Sequence, residues 1–155
     1  MDIKGEVRMT TKTYLGQIER LEKMIQNKLS EIYQLKSMAC SISVSNDSDK
    51  VQKSTDKDKL GATVSKIVDL ENEASDLVDE FSKKRSHIIE QIDSIEETDL
   101  YHVLSMRYVS KNTFEEIANK TNWSLRKIFS LHGKALQEFE MRFGNEYLES
   151  VQWFA

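Results

Sequence analysis

The chain has 155 residues, of which 39% are hydrophobic and 31% charged, with five glycines, no proline and a net charge of -4. A β-sandwich needs many glycine- and proline-marked turns and is excluded. The Glu/Lys/Leu/Ile-rich composition is that of long helices, and the negative balance excludes a protein that binds nucleic acid over its whole surface.

The length fits one or two small domains, and the charge is unevenly spread. Residues 98–142 hold seven Lys/Arg against five acids, a net of +2, whereas residues 1–97 hold 15 against 19, a net of -4. Cys40 is the single cysteine, so neither an internal disulfide nor a thiolate metal cluster is expected. The N-terminus is charged and lacks an apolar stretch. No apolar run approaches the roughly 20 residues needed to cross a bilayer. A cytoplasmic protein with no membrane partner is the expectation.

Residues 1–12 read as a loose leader. From about Thr13 to Ala39 a heptad pattern appears: Ile18, Ile25, Ile32 and Ala39 share one position, and Leu21, Lys28 and Leu35 another. Apolar residues spaced alternately three and four apart form a seam on one helix face, and Lys28 interrupts it with a polar residue that can set register. Residues 40–59 are rich in Ser, Asp and Lys and read as a solvated connector. A second long helix is expected from Leu60 to Ile95, with the stripe Ile67, Leu70, Ala74, Leu77, Phe81, Ile88, Ile92 and Ile95. Neither stripe is stable alone in water. The two helices can fold back as a hairpin or coiled coil, and their unequal lengths leave apolar surface for a homodimer. Residues 1–97 therefore form the expected oligomerisation region.

A three-helix head is expected over 98–142. Thr98 or Asp99 can cap a helix carrying Leu100, Val103, Leu104 and Tyr108. Thr113 and Glu116 have the spacing of a capping box, and Ile117 and Ala118 form a small apolar face on the helix they start. Thr121-Asn122-Trp123 reads as a turn, with Asn122 suited to the left-handed conformation. Ser124 then caps a helix that turns Ile128, Leu131, Ala135, Leu136 and Phe139 toward a core. This is a helix-turn-helix, and its second helix usually lies in the major groove of DNA. Residues 143–155 read as a tail, whose Trp153 and Phe154 are costly to leave in water and are expected to dock on the bundle.

With Ile128 at the centre of the buried face and 100° per residue, Arg126, Ser130, Gly133 and Gln137 fall on the far side. Lys127, Phe129 and Lys134 flank them. Arg126, at the helix start, has the fork that matches guanine O6 and N7. Ser130 can read a base edge or a phosphate, and Lys127 and Lys134 sit where they can hold phosphates. Gly133 can permit close backbone approach or be merely tolerated near a bend. Phe129 can touch a thymine methyl, wedge at a base step, or pack on another protein. The candidate DNA-binding set is Ser124, Leu125, Arg126, Lys127, Phe129, Ser130, Gly133 and Lys134.

Nothing in the chain points to an enzyme, a metal or a cofactor. His87, His102 and His132 have no ligand-spaced companions, and His132 falls near the buried face, as a structural imidazole would. There is no Gly-rich phosphate loop and no Ser/His/Asp arrangement in a known local context. The acid pairs Glu96-Glu97 and Glu115-Glu116 lie near helix starts, where they favour the helix dipole.

Leu104-Ser-Met-Arg-Tyr108, Thr113-Phe-Glu-Glu-Ile-Ala118, Ser124 with Ile128, and Ala135-Leu136 together resemble the fourth region of bacterial sigma factors. That region is a helix-turn-helix that reads the promoter -35 element and contacts RNA polymerase. The resemblance implies DNA contact at Leu125, Arg126, Phe129 and Ser130. Sigma factors are typically polar or basic at these places, and Leu125 and Phe129 depart from that. The whole arrangement is similar to small proteins of prophages and mobile elements of Gram-positive bacteria. The likeness includes Asp49 to Ser54, Lys66 to Glu71 and Leu131-His-Gly-Lys-Ala-Leu136. These are related to phage late-gene transcription regulators of the RinA and ArpU kind. The resemblance implies a phage-encoded activator of late or packaging genes that binds double-stranded promoter DNA. Two other readings stay open: a DNA-recognition subunit of a phage packaging machine, and a protein-interaction module that binds polymerase or acts as an anti-repressor.

Overall fold

The structure is a computed structural model and describes residues 9–45 and 54–148. The fold is all-α. Among the described residues there are six α-helices, one π-helical turn and no strand. The helices are α1 (Thr11–Leu15), α2 (Gln17–Ser45), α3 (Ser54–Asp93), α4 (Thr98–Leu104), α5 (Phe114–Thr121) and α6 (Leu125–Tyr147), with the π-helical turn at Ser105–Val109 following α4. Among the described residues no helix is long and apolar enough to cross a membrane.

Two compact units form, one from Met1–Arg20 with Lys83–Ala155 and the other from Leu21–Ser82. The sequence pattern suggests a division at 97/98. The last turns of α3 instead belong with the C-terminal helices because Ile88, Ile92 and Ile95 are buried in that unit.

In the Leu21–Ser82 unit the heptad seam is partly as the sequence suggests. Ile32, Ile67, Leu70 and Ala74 form a buried cluster, with Leu35 packed against it. Lys28 does not leave its place in the seam empty, for its Nζ meets Glu73 Oε2 at 2.6 Å. That bond holds the Lys28 ammonium above its usual pKa. Lys36 pairs with Glu71 at 2.7 Å and Lys66 with Glu31 at 3.3 Å. Exposed pairs of this kind add little stability but favour one alignment of α2 and α3 over a slipped one.

The element boundaries differ from the sequence expectation in five places. The leader is helical over Thr11–Leu15, where the Thr10 hydroxyl accepts the Thr13 N–H at 3.2 Å and caps α1. The first long helix is interrupted at Gly16, where an added Cβ would lie 3.0 Å from the Lys12 carbonyl oxygen. The connector 40–59 is shorter than its composition suggests, since α2 runs to Ser45 and α3 starts at Ser54. Solvated Ser, Asp and Lys are compatible with a helix surface and do not by themselves end one. The rest of that connector, with most of Asp49 to Ser54, lies outside the described residues. The cap of α4 is Glu97, without a side-chain bond, rather than Thr98 or Asp99. Finally, α6 continues past Phe143 to Tyr147, while Trp153 and Phe154 lie outside the described residues.

A set of buried contacts explains why α1 is ordered and why α6 is long. Thr11 Oγ1 donates to Glu140 Oε2 at 2.9 Å, leaving its oxygen to accept the Tyr147 hydroxyl at 2.9 Å. Tyr14 stacks on Tyr147 with centroids 4.3 Å apart and donates to Gln91 Oε1 at 2.8 Å. Gln91 Nε2 in turn donates to Glu146 Oε2 at 2.8 Å. Burial raises the pKa of both tyrosines. Leu15, Ile18 and Phe139 complete the apolar interior here. Replacing Tyr147 by Ala is expected to lower the unfolding free energy by about 3 kcal/mol. Tyr147→Phe, which removes the hydroxyl and its bond to Thr11, should cost about 1 kcal/mol. Urea denaturation of the two variants measures both, and equal stability to the parent would mean that the end of α6 is not part of the fold.

Candidate nucleic-acid interface

The site begins at α5, whose start is a complete capping box. The Thr113 N–H donates to Glu116 Oε2 at 2.7 Å, and the Glu116 N–H donates to Thr113 Oγ1 at 3.2 Å. At its other end Asn122 adopts the left-handed conformation, with φ 57°, which reverses the chain in a single residue. The Thr121 hydroxyl donates to the Ile117 carbonyl at 2.7 Å and accepts from the Trp123 N–H at 3.3 Å. Ser124 Oγ accepts the Lys127 N–H at 3.2 Å and starts α6. Residue type and spacing alone indicate these roles for Thr113, Glu116, Asn122 and Ser124.

Two features of the turn escaped the sequence pattern. Trp123, just before the cap of α6, packs against the cluster of Met106, Ile117 and Ile128. A hydrophobic residue before the cap, meeting the fourth residue of the helix, is a hydrophobic staple. The Trp123/Ile128 spacing is the signal that identifies it. Lys127 then lays its Nζ over the Trp123 ring, 4.2 Å from the centroid. This cation–π contact draws Lys127 toward the turn and restrains its reach.

The inner face of α6 carries the residues expected of it. Ile128, Ala135 and Phe139 are fully buried, Leu131 nearly so and Leu136 half-buried. The outer face gathers the whole candidate set, since Ser124, Leu125, Arg126, Lys127, Phe129, Ser130, Gly133 and Lys134 are all exposed. No Asp or Glu occurs between Leu125 and Gln137, and the N-terminal end of the helix adds the positive pole of its dipole. An added Cβ at Gly133 would find nothing within 4 Å. Packing within the chain therefore does not require glycine there.

Behind this face lies an aromatic stack. The Phe129 ring meets Phe114 edge-on with centroids 5.0 Å apart, and Phe114 meets His132 edge-on at 5.1 Å. His132 Nε2 and the Tyr108 hydroxyl share a hydrogen bond of 2.9 Å. The guanidinium of Arg107 sits over Phe114, 4.8 Å from the ring centroid, and donates to the Asn112 carbonyl at 2.9 Å. Tyr108 and Arg107 come from the π-helical turn.

His132 is buried, 7% exposed. Burial, helped by the charges of Lys12 and Arg107, lowers its pKa to about 4, and burial pushes Tyr108 up to about 12. His132 is thus a neutral, packed imidazole at pH 7. His87, in contrast, is exposed and bonds Glu146 at 3.0 Å. Among the described residues no group of three His, Cys, Asp or Glu is placed to hold a metal ion.

The His132 environment generates a pH dependence of stability. The unfolded imidazole takes up a proton near pH 6.5, whereas the folded one resists until about pH 4. Stability is therefore full above pH 6.5 and falls as the pH is lowered toward 4, by about 3 kcal/mol in all. In His132→Phe the fall over that window should be shallower than in the parent. Urea midpoints at pH 7, 5.5 and 4.5 measure the difference, and parallel curves would show that His132 does not carry it.

The family described as Protein of unknown function (DUF1492) matches the chain over residues 40–140, a stretch that contains the whole exposed set on α6. No curated protein and no solved structure matches the chain.

Proposed function

We propose that this chain, which belongs to the DUF1492 family, is a sequence-specific double-stranded DNA-binding protein that regulates transcription. The observation that carries the reading is the outer face of α6. Eight exposed residues, three of them cationic and none acidic, stand at the start of a helix whose opposite face is buried. A helix docked by its inner face and fronted by a short turn is free to enter a major groove. In this reading α5, the turn at Asn122 and α6 act as a helix-turn-helix of the sigma region 4 kind. Arg126 reads a guanine edge, and Lys127 and Lys134 hold phosphates. Gly133, with open space where a Cβ would stand, lets the backbone come close to the DNA.

The resemblance to phage late-gene regulators suggests an activator of late or packaging genes that also touches RNA polymerase. A homodimer fits the Leu21–Ser82 unit, where Leu29, Tyr33, Met38, Val64, Val68 and Val78 are exposed. A small unit of two helices gains most by covering such residues against another pair. The second reading is a protein-interaction module, favoured by the exposed ring of Phe129. It entails no salt-resistant DNA binding.

Capture of DNA fragments by the purified protein at two salt concentrations separates the readings. A discrete fragment retained at the higher salt is the expected result. Uniform weak binding that vanishes with salt would overturn the sequence-specific reading. On the captured fragment, Arg126→Ala should lower affinity by about 1–3 kcal/mol and relax one base position. Lys127→Ala should weaken all sequences about equally, and Gly133→Ala should weaken binding while stabilising the helix by about 1 kcal/mol. Binding assays beside thermal melts measure these effects. Parental binding by all three variants would move the interface off α6.

A further inference from the structure

Two apolar residues interrupt the polar face of the first half of α6. Leu125 is 40% exposed and Phe129 53% exposed. Standing four residues apart, they project from the same side of the helix. Their separation along the axis is about 6 Å, close to two base-pair steps of about 3.4 Å each.

An exposed phenyl ring usually samples several rotamers, but this one is braced. Its contact with Phe114 is backed by the contact of Phe114 with His132 and by the hydrogen bond from His132 to Tyr108. The ring is therefore a rigid apolar surface offered to whatever the helix meets.

The surroundings identify the occupant. Ser124, Arg126, Lys127, Ser130 and Lys134 collar the pair on α6. The nearest acids in sequence are Glu116, in the first turn of α5 and bound to the Thr113 N–H, and Glu138, further along α6 and paired with Arg142. An apolar groove on a protein would have to desolvate those cations. A polyanion that carries isolated methyl groups matches both the collar and its centre, and thymine presents such a methyl in the major groove.

We propose that Phe129 and Leu125 are specificity-determining residues that read thymine 5-methyl groups about two base steps apart. The proposal rests on the DNA-binding reading above, and it gives the target a chemical feature that the polar residues cannot supply.

The test uses the full-length protein and a duplex that it enriches from a randomised pool. Each thymine of that duplex is replaced in turn by deoxyuridine, which lacks only the methyl group. The parent should lose about fourfold in affinity at one or two of these positions. Phe129→Ala should bind the thymine duplex more weakly and no longer distinguish thymine from uracil at one of them, and Leu125→Ala likewise at the other. Circular dichroism should be unchanged, because both side chains are exposed.

Equal binding of all uracil duplexes by the parent would overturn the methyl reading, as would full discrimination retained by Phe129→Ala. In either case the enriched duplex keeps the DNA-binding reading intact while the methyl reading falls. If no duplex is enriched, both readings fall together.

Discussion

A single apolar stripe on α6 has to be covered from several sides, and the unit built around it follows from how that is done. Ile128, Leu131, Ala135, Phe139 and Tyr147 lie along one helix of 23 residues. At about 1.5 Å per residue the stripe is too long for one neighbour. Contacts with α1, α4 and α5 divide it among them. Ile117 and Met106 cover its start around Ile128, and Tyr14 and Thr11 cover its end around Tyr147. Burial on this side dictates exposure on the other. The outer row of polar and basic side chains is presented because the inner row is held.

Local chemistry made much of the α5–α6 region legible in the sequence. A capping box, a left-handed asparagine and a serine cap depend on residues within four positions of one another, so the signal lies in short words such as Thr113-Phe-Glu-Glu116. The same holds for the two faces of α6, which follow from a fixed rotation per residue. The match of the candidate set to the exposed face comes from that periodicity. The contacts of α1 were not legible. Thr11, Tyr14, Gln91, Glu140 and Tyr147 are polar or amphipathic residues with no common spacing. Their contacts are made with partners up to 136 positions away. A leader rich in Thr and Lys looks solvated until the surface that it covers is known. The staple of Trp123 on Ile128 lies between these cases, because its spacing is local while the cluster that it joins also draws on Met106 and Ile117 from other elements.

The heptad seam illustrates another limit of pattern. Lys28 reads as a flaw in an apolar row, yet its ammonium is paired with Glu73 across the neighbouring helix. A periodic apolar pattern identifies which face is buried, and the polar exceptions within it can select the alignment. Tyr33, Leu29 and Val68, by contrast, are apolar and exposed in the Leu21–Ser82 unit. Their exposure leaves a surface that the fold of one chain does not use.

The bond between Thr11 and Tyr147 joins the first described helix to the last across 136 positions. A ribosome emits the chain from its N-terminus, so α1 waits without the surface that covers it while the 136 positions after Thr11 are made. The head is thereby a late-closing structure, and the contacts of α1 with Glu140 and Tyr147 span sequence separations of the kind that slow the search for them. Until Tyr147 emerges, α1 lacks the part of α6 that Thr11 and Tyr14 meet. A nascent chain therefore carries an open apolar surface of the kind that folding helpers bind, and completion of α6 is what removes it.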